Sequence, residues 1–199
     1  MSARSSLPMT RTVVRARSGP PPSMSRVKDA VGLARGAVEL RPYDPAWAQR
    51  FERERTALLA DVPELLEVEH IGSTSIPGIE AKPIIDMQAA LRSLSDWERV
   101  VPRLVQRGYT FMAERVHGSR VFLPKGAEEF RTHYVSLIEA GCEEWRVRLR
   151  FRDALRSDRA LRLEYQELKR RLARRHVSDR PGYTDAKSAF VARVLAEHP

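Results

Sequence analysis

The sequence contains very little cysteine and no long apolar segment. Cys142 is the single cysteine among 199 residues, so no disulfide can form within the chain and a reducing compartment is expected. No apolar run approaches the roughly 18 residues that a membrane-spanning helix requires, and no apolar segment follows the early arginines as a secretory signal would. These features predict a cytoplasmic protein without membrane association.

The composition is that of a globular chain, with 42% hydrophobic and 31% charged residues, and the length suits one domain with tails. The net charge of +9 is unevenly distributed. Residues 144–199 contain fifteen basic and eight acidic residues, whereas residues 37–143 contain thirteen and seventeen. The basic C-terminal helices either attract nucleic acid or present ordinary solvated faces.

Residues 1–36 are rich in Ser, Arg and Pro, and the run Pro20–Pro22 excludes a continuous helix there. We expect a disordered, basic tail over 1–36, or a translation start at Met24, in preference to a targeting segment. The folded domain is expected over residues 37–199.

The segments around the centre predict an α+β fold. Residues 37–41 are expected to form a leading strand, and Asp44-Pro45 to begin a helix. Ser95 and Glu98 have the spacing of a capping box at the start of a second helix. Residues 109–113 and 119–123 are expected to pair as a hairpin, and 131–138 to form a further strand. The last third is expected to be helical, with Thr184 capping the final helix.

Residues 68–88 contain most of the candidate functional residues. They have the pattern of a buried strand, a tight turn at Gly72-Ser73, a loop closed by Pro77-Gly78, and a second buried strand that contains Asp86. Adjacent strands joined in this way should bring Asp86 to face the Gly72-Ser73 turn.

These residue types suit phosphate binding. Gly72 permits close approach of the backbone to a ligand, and Ser73 and Thr74 offer hydroxyl and backbone donors. Lys82 can supply positive charge. Asp86 can contribute to a Mg²⁺ site, because Mg²⁺ commonly combines one or two carboxylates with phosphate oxygens.

The motifs resemble those of the GrpB family, an uncharacterised family of the nucleotidyltransferase superfamily. The matching segments are residues 43–47, 69–74, 77–78, 81–86, 131–133, 151–156 and 165–169. The resemblance covers roughly residues 37–198. It implies an α+β, nucleotidyltransferase-like (polymerase-beta-type) mixed sheet with flanking helices and a helical C-terminal part.

The resemblance implies catalytic and metal-binding roles for Asp86 and its neighbours. Active nucleotidyltransferases usually carry a second carboxylate where this chain has Gln88, which makes a two-metal site doubtful. Glu69 is either a compensating metal ligand or general base, or the partner of an arginine. His70 either contributes to catalysis by binding phosphate or passing a proton, or is a buried, hydrogen-bonded histidine.

Two further candidates lie on the strand over 131–138. Arg131 either grips a phosphate or forms a surface ion pair, and the same alternatives hold for Lys82. His133 is expected to face the pocket, but the second histidine of the family pattern is replaced by Ser136.

Two functions remain open. The first is a Mg²⁺-dependent nucleotidyltransferase that passes a nucleotidyl group from an NTP to an unknown acceptor. The second is a non-catalytic module that binds a nucleotide or other phosphorylated ligand, RNA or a protein.

Overall fold

A computed structural model describes residues 31–34 and 37–198 of the chain. The strands are β1 (Leu33–Ala34), β2 (Leu65–Ile71), β3 (Ile85–Leu91), β4 (Val116–His117), β5 (Arg120–Ala127) and β6 (Phe130–Glu139). The helices are α1 (Ala46–Asp61), α2 (Trp97–Gln106), α3 (Glu143–Ser157), α4 (Arg159–Arg175), α5 (Arg180–Asp185) and α6 (Ser188–Glu197).

The strands form one mixed sheet in the order β2-β3-β6-β5-β4, and β1 pairs with the start of β6. The pairing of β3 with β6 is parallel and the others are antiparallel. The α+β fold with flanking helices is therefore confirmed.

Alternation along the strands gives the sheet two different faces. On one face, Met87 and Val135 pack with residues of α1 such as Phe51 in the main core. On the other face, Ala90 and Ile138 pack against Trp145 of α3. Asp86 and Gln88 alternate with Met87, so their side chains lie on the α3 face.

The C-terminal helices hold the loop between β2 and β3. Ile76 and Ile79 of the loop lie in a cluster with residues of α3, α4 and α6, among them Tyr165. The Glu80 carboxylate accepts hydrogen bonds from Arg170 of α4 at 2.9 and 3.0 Å. The loop that carries Gly72 is thereby fixed to the helical part of the protein.

Several local predictions were wrong. Residues 37–41 form no strand; Arg41 makes only an isolated bridge with Ala81. Residues 31–34, which we assigned to the tail, contain β1, because Val31 and Leu33 are buried. The rest of the predicted tail lies outside the described residues.

The N-caps of the helices also differ from those that we predicted. A 3-10 turn over Leu94–Asp96 precedes α2, and Ser95 makes no capping bond to it. Thr184 lies inside α5, which is capped instead by Asp179 through a 3.0 Å bond from the Gly182 N–H. Tyr109 forms an isolated bridge with Lys125 in place of a strand.

None of the helices within the described ranges has both the length and the apolar character needed to cross a membrane.

Candidate functional site

Gly72 and Asp86 are in direct contact. Asp86 lies opposite Ile71 in the pairing of β2 with β3, one residue from the turn. Gly72 has φ +70°, and a Cβ built on it would lie 2.5 Å from Oδ2 and 2.8 Å from Cβ of Asp86. Both the left-handed backbone and the lack of space require glycine here. The structure thus brings the predicted aspartate to the predicted turn.

A cavity of about 760 Å³ opens in front of this contact. Among its described lining residues, seven are basic and three are acidic. The basic ones are Lys82, Arg115, Arg120, Arg131, Arg148, Arg152 and Lys187, and the acidic ones are Asp86, Glu128 and Asp185. A concave surface with this excess of positive charge concentrates anions.

Aromatic side chains supply much of the remaining wall. They are Phe122, Tyr134, Phe151, Tyr165 and Tyr183. Burial raises the pKa of the Tyr165 hydroxyl to about 12. Flat apolar surfaces beside cationic groups are suited to a ligand with a planar body and phosphate groups.

Three of the arginines form a group that we call the arginine cluster: Arg115, Arg120 and Arg148. Arg120 and Arg148 share the Glu144 carboxylate, at 3.4 and 2.5 Å. The Arg115 guanidinium lies 5.9 Å from the centroid of the Phe122 ring. Burial, together with the charges of Arg148 and Arg115, lowers the pKa of Arg120. The cluster therefore carries more positive charge than Glu144 neutralises.

The arginine cluster lies beside the contact between Gly72 and Asp86. A compartment of about 220 Å³ is lined by the three arginines together with Gly72, Asp86 and Tyr134. Among its described lining residues, Asp86 is the single carboxylate. A phosphate bound at the Gly72-Ser73 turn would therefore contact the guanidinium groups of the arginine cluster and the carboxylate of Asp86.

The two positions nearest to Asp86 in the metal-site pattern, Gln88 and Glu69, have other partners in the structure. Gln88 is fully buried, and its amide donates to the backbone oxygen of Trp145 at 3.3 Å. Glu69 forms an ion pair with Arg152, which also donates to the backbone oxygen of His70 at 3.0 Å. Of these residues, only Arg152 is among the described residues that line the cavity. The arginine-partner alternative for Glu69 is the arrangement observed.

A metal site made by protein groups alone does not fit. Within residues 31–34 and 37–198 no group of three or more His, Cys, Asp or Glu side chains is placed to hold an ion. Glu69 is paired with Arg152 and is not among the described residues that line the cavity with Asp86. A single carboxylate suits only a Mg²⁺ ion that takes its other ligands from phosphates and water.

His70 and His133 lie on the opposite face of the sheet from Asp86. His70 pairs with Met87 and stacks on Phe51, with ring centroids 4.7 Å apart. Burial, aided by nearby arginines, lowers the pKa of His70 to about 3, and burial lowers that of His133 to about 4. Both side chains are held neutral at physiological pH, and the structure does not bring either to the cavity with Asp86.

Thr74 also turns away from the cavity. Its side chain is buried, donates to the backbone oxygen of Ile84 at 3.2 Å, and lies 3.0 Å from Nε2 of His70. The hydroxyl thus ties the turn to both strands. Of the Ser73-Thr74 pair, only Ser73 is among the described residues that line the cavity.

Lys82 and Arg131 both line the cavity. The Lys82 ammonium lies 4.8 Å from the centroid of the Tyr183 ring. Arg131 donates to the backbone oxygen of Gly126 at 2.7 Å, which fixes its side chain in the wall.

Many basic residues of the C-terminal helices have intramolecular partners. Arg170 bonds Glu80, Arg193 bonds Glu164 at 2.7 Å, and Arg156 donates to the backbone oxygen of Ser75 at 2.9 Å. Lys169 is buried and donates to the backbone oxygen of Glu80. Arg156, Lys169 and Arg170 thus attach the helices to the β2–β3 loop, and Arg193 joins α6 to α4.

Sequence reasoning missed most of the cavity. The arginine cluster, Lys187 and the aromatic side chains come from the turn before β4, from β5, β6, α3 and α4, and from the α5–α6 region, all outside residues 68–88. Arg152 and Tyr165 belong to segments of the family resemblance, which was the one available signal for them.

The fold and site define a class: an α+β protein with a mixed sheet and a basic cavity at a Gly-Ser turn. The family model described as "GrpB protein" matches residues 37–197, and the chain belongs to this family. It is 33% identical to the glutamate-rich protein GrpB of Alkalihalophilus pseudofirmus, over 84% of this chain and 99% of that one.

Two other matches agree. A UPF0157 protein of Pseudomonas aeruginosa is 41% identical to this chain. The match covers 79% of this chain and 66% of that relative. The crystal structure of the conserved protein GrpB from Enterococcus faecalis is similar with a TM-score of 0.73 and 34% identity, covering 80% of this chain and 96% of that one. These matches support both the family and the fold.

Proposed function

We propose that the cavity binds a nucleotide or a similar phosphorylated small molecule. The observation that carries this proposal is the excess of basic side chains around the turn at Gly72 and Ser73. A volume of about 760 Å³ falls within the range of small-molecule sites. The arginine cluster would bind phosphate oxygens, and the aromatic wall would contact the base or another planar group.

Binding is favoured over two-metal chemistry because the second acidic position is neutral and buried. Gln88 anchors α3 through Trp145, so its amide nitrogen is already in use. The negative charge of a phosphorylated ligand would thus be balanced mainly by arginine and lysine side chains. Asp86 would orient the ligand at the turn, or share a Mg²⁺ ion that the ligand brings.

The test is isothermal titration with ATP, CTP, GTP and UTP, with and without Mg²⁺, on the wild type and two matched variants of α3. Arg148→Ala removes a member of the arginine cluster, whereas Arg146→Ala removes an exposed arginine two residues away. Loss of a charge-assisted hydrogen bond costs about 1.5–3 kcal/mol, so Arg148→Ala should bind about 10- to 100-fold more weakly.

The control variant Arg146→Ala should bind within about twofold of the wild type, because side chains remote from a ligand contribute little. An absence of heat with all four nucleotides at millimolar concentration would refute the proposal. Equal weakening by both variants would show that general charge, and not this cavity, governs binding.

Nucleotidyl transfer is a second candidate, favoured by the contact between Asp86 and the Gly72 turn. In that reaction an acceptor hydroxyl or amine bonds to the α-phosphorus, the bond to pyrophosphate breaks, and the acceptor proton passes to solvent or a base. The assay is pyrophosphate release from the four nucleotides. Asp86→Asn should then stop release while the variant still binds nucleotide.

A further inference from the structure

The cavity has a second cationic group, formed by Lys82 and Lys187, which we call the lysine pair. Their ammonium nitrogens lie 4.8 and 4.3 Å from the centroid of the Tyr183 ring. All three residues line the cavity. The charges of both lysines also reach the buried Lys169, whose pKa is lowered to about 7, chiefly by burial. Positive charge is therefore concentrated around Tyr183.

The lysine pair and the arginine cluster occupy different parts of the cavity. The compartment of about 220 Å³ beside Gly72 is lined by the arginine cluster, but neither Lys82, Lys187 nor Tyr183 is among its described lining residues. The arginine cluster comes from the turn before β4, from β5 and from α3, whereas the lysine pair comes from the β2–β3 loop and the residue before α6. Phe151 and Tyr165 line the larger cavity outside this compartment.

Two groups of like charge in one cavity repel each other, and each loses hydration when a ligand enters. A ligand with two separated anionic groups would contact both cationic groups at once, and a planar group on the same ligand would contact the aromatic wall.

We propose that the ligand carries two separated phosphate groups, one bound by the arginine cluster and the other by the lysine pair, and a planar group that contacts the aromatic wall. A nucleoside phosphorylated at both the 3′ and the 5′ positions has this form, because the ribose joins the two phosphates and carries the planar base. In a nucleoside triphosphate, by contrast, the phosphates are contiguous. The inference rests on the proposed function and specifies the class of ligand.

Two isomers provide the test. Adenosine 3′,5′-bisphosphate and adenosine 5′-diphosphate have the same atoms and the same number of phosphates, but only the first separates them. ATP serves as the control for total charge. By isothermal titration of the full chain, we expect the 3′,5′-bisphosphate to bind at least about tenfold more tightly than either 5′ polyphosphate.

Single substitutions test the lysine pair and the arginine cluster separately. Lys187→Met should weaken binding of the 3′,5′-bisphosphate at least about tenfold and that of ADP by a smaller factor, so that the preference for the 3′,5′-bisphosphate falls. Arg148→Ala should weaken both. Arg193→Met, on α6 and outside the described cavity lining, should change neither. Lys82→Met is the second variant for the lysine pair, and thermal melting confirms that each variant is folded.

The outcomes distinguish this inference from the proposed function. If ADP or ATP binds as tightly as the 3′,5′-bisphosphate, the inference is refuted and the proposed function stands. If Lys187→Met and Lys82→Met both leave the preference unchanged, the lysine pair is not the second site. If no nucleotide binds at all, the proposed function itself fails.

Discussion

Replacing Gly72 with alanine tests the contact at the centre of the site. An alanine with φ +70° and ψ −178° would occupy a backbone region that is essentially restricted to glycine, at a cost of about 1–3 kcal/mol. Its methyl group would lie 2.5 Å from Oδ2 of Asp86, and forcing atoms into filled space costs about 1–3 kcal/mol more. We therefore expect Gly72→Ala to lower the free energy of unfolding by about 2–6 kcal/mol and to weaken nucleotide binding.

Gly78→Ala is the matched control in the same loop. Gly78 has φ +82°, but a Cβ there would meet nothing within 4 Å, so only the conformational cost of about 1–2 kcal/mol applies. Urea unfolding of the wild type and both variants measures the difference. If the two variants unfold within about 0.5 kcal/mol of each other, Gly72 is not required by a contact with Asp86.

Two buried bases predict how stability depends on pH. Lys169 has its folded pKa lowered to about 7, so between pH 7 and its unfolded pKa the unfolded chain binds more protons and stability rises with pH. From pH 7 to 9 the wild type should gain about 2 kcal/mol relative to Lys169→Met in urea unfolding; equal pH profiles would contradict this. His70, with a folded pKa of about 3, should make the wild type lose about 1.5–2 kcal/mol relative to His70→Gln between pH 6.5 and 5. Parallel unfolding curves over that interval would show that His70 is not held neutral.

The contact between the turn and Asp86 was predictable because it depends on local pattern. Two apolar runs separated by Gly and Pro indicate adjacent strands, and strand alternation then decides which side chains share a face. The same alternation places His133 and Val135 of β6 on one face of the sheet, and Tyr134 and Ser136 on the other.

Pattern alone could not show which face of the sheet forms the cavity. His70 and His133 share a face, but α1 covers it, and Phe51 stacks on His70. The choice depends on where α1 and α3 pack, which is a tertiary property. Likewise, the arginine cluster assembles from segments whose arginines are indistinguishable in sequence from the solvated ones, such as Arg146.

The positions that would complete a two-metal site are used here for packing. Gln88 donates to α3 through Trp145, and Glu69 bonds Arg152 of the same helix. Both interactions fix α3 against the sheet, and α3 in turn places Arg148 in the cavity. A carboxylate at position 88 would lose the amide donor and bury an uncompensated charge under Trp145. Neutral Gln88 is therefore consistent with a site in which fixed guanidinium groups, and not a pair of cations, meet the phosphates of the proposed ligand.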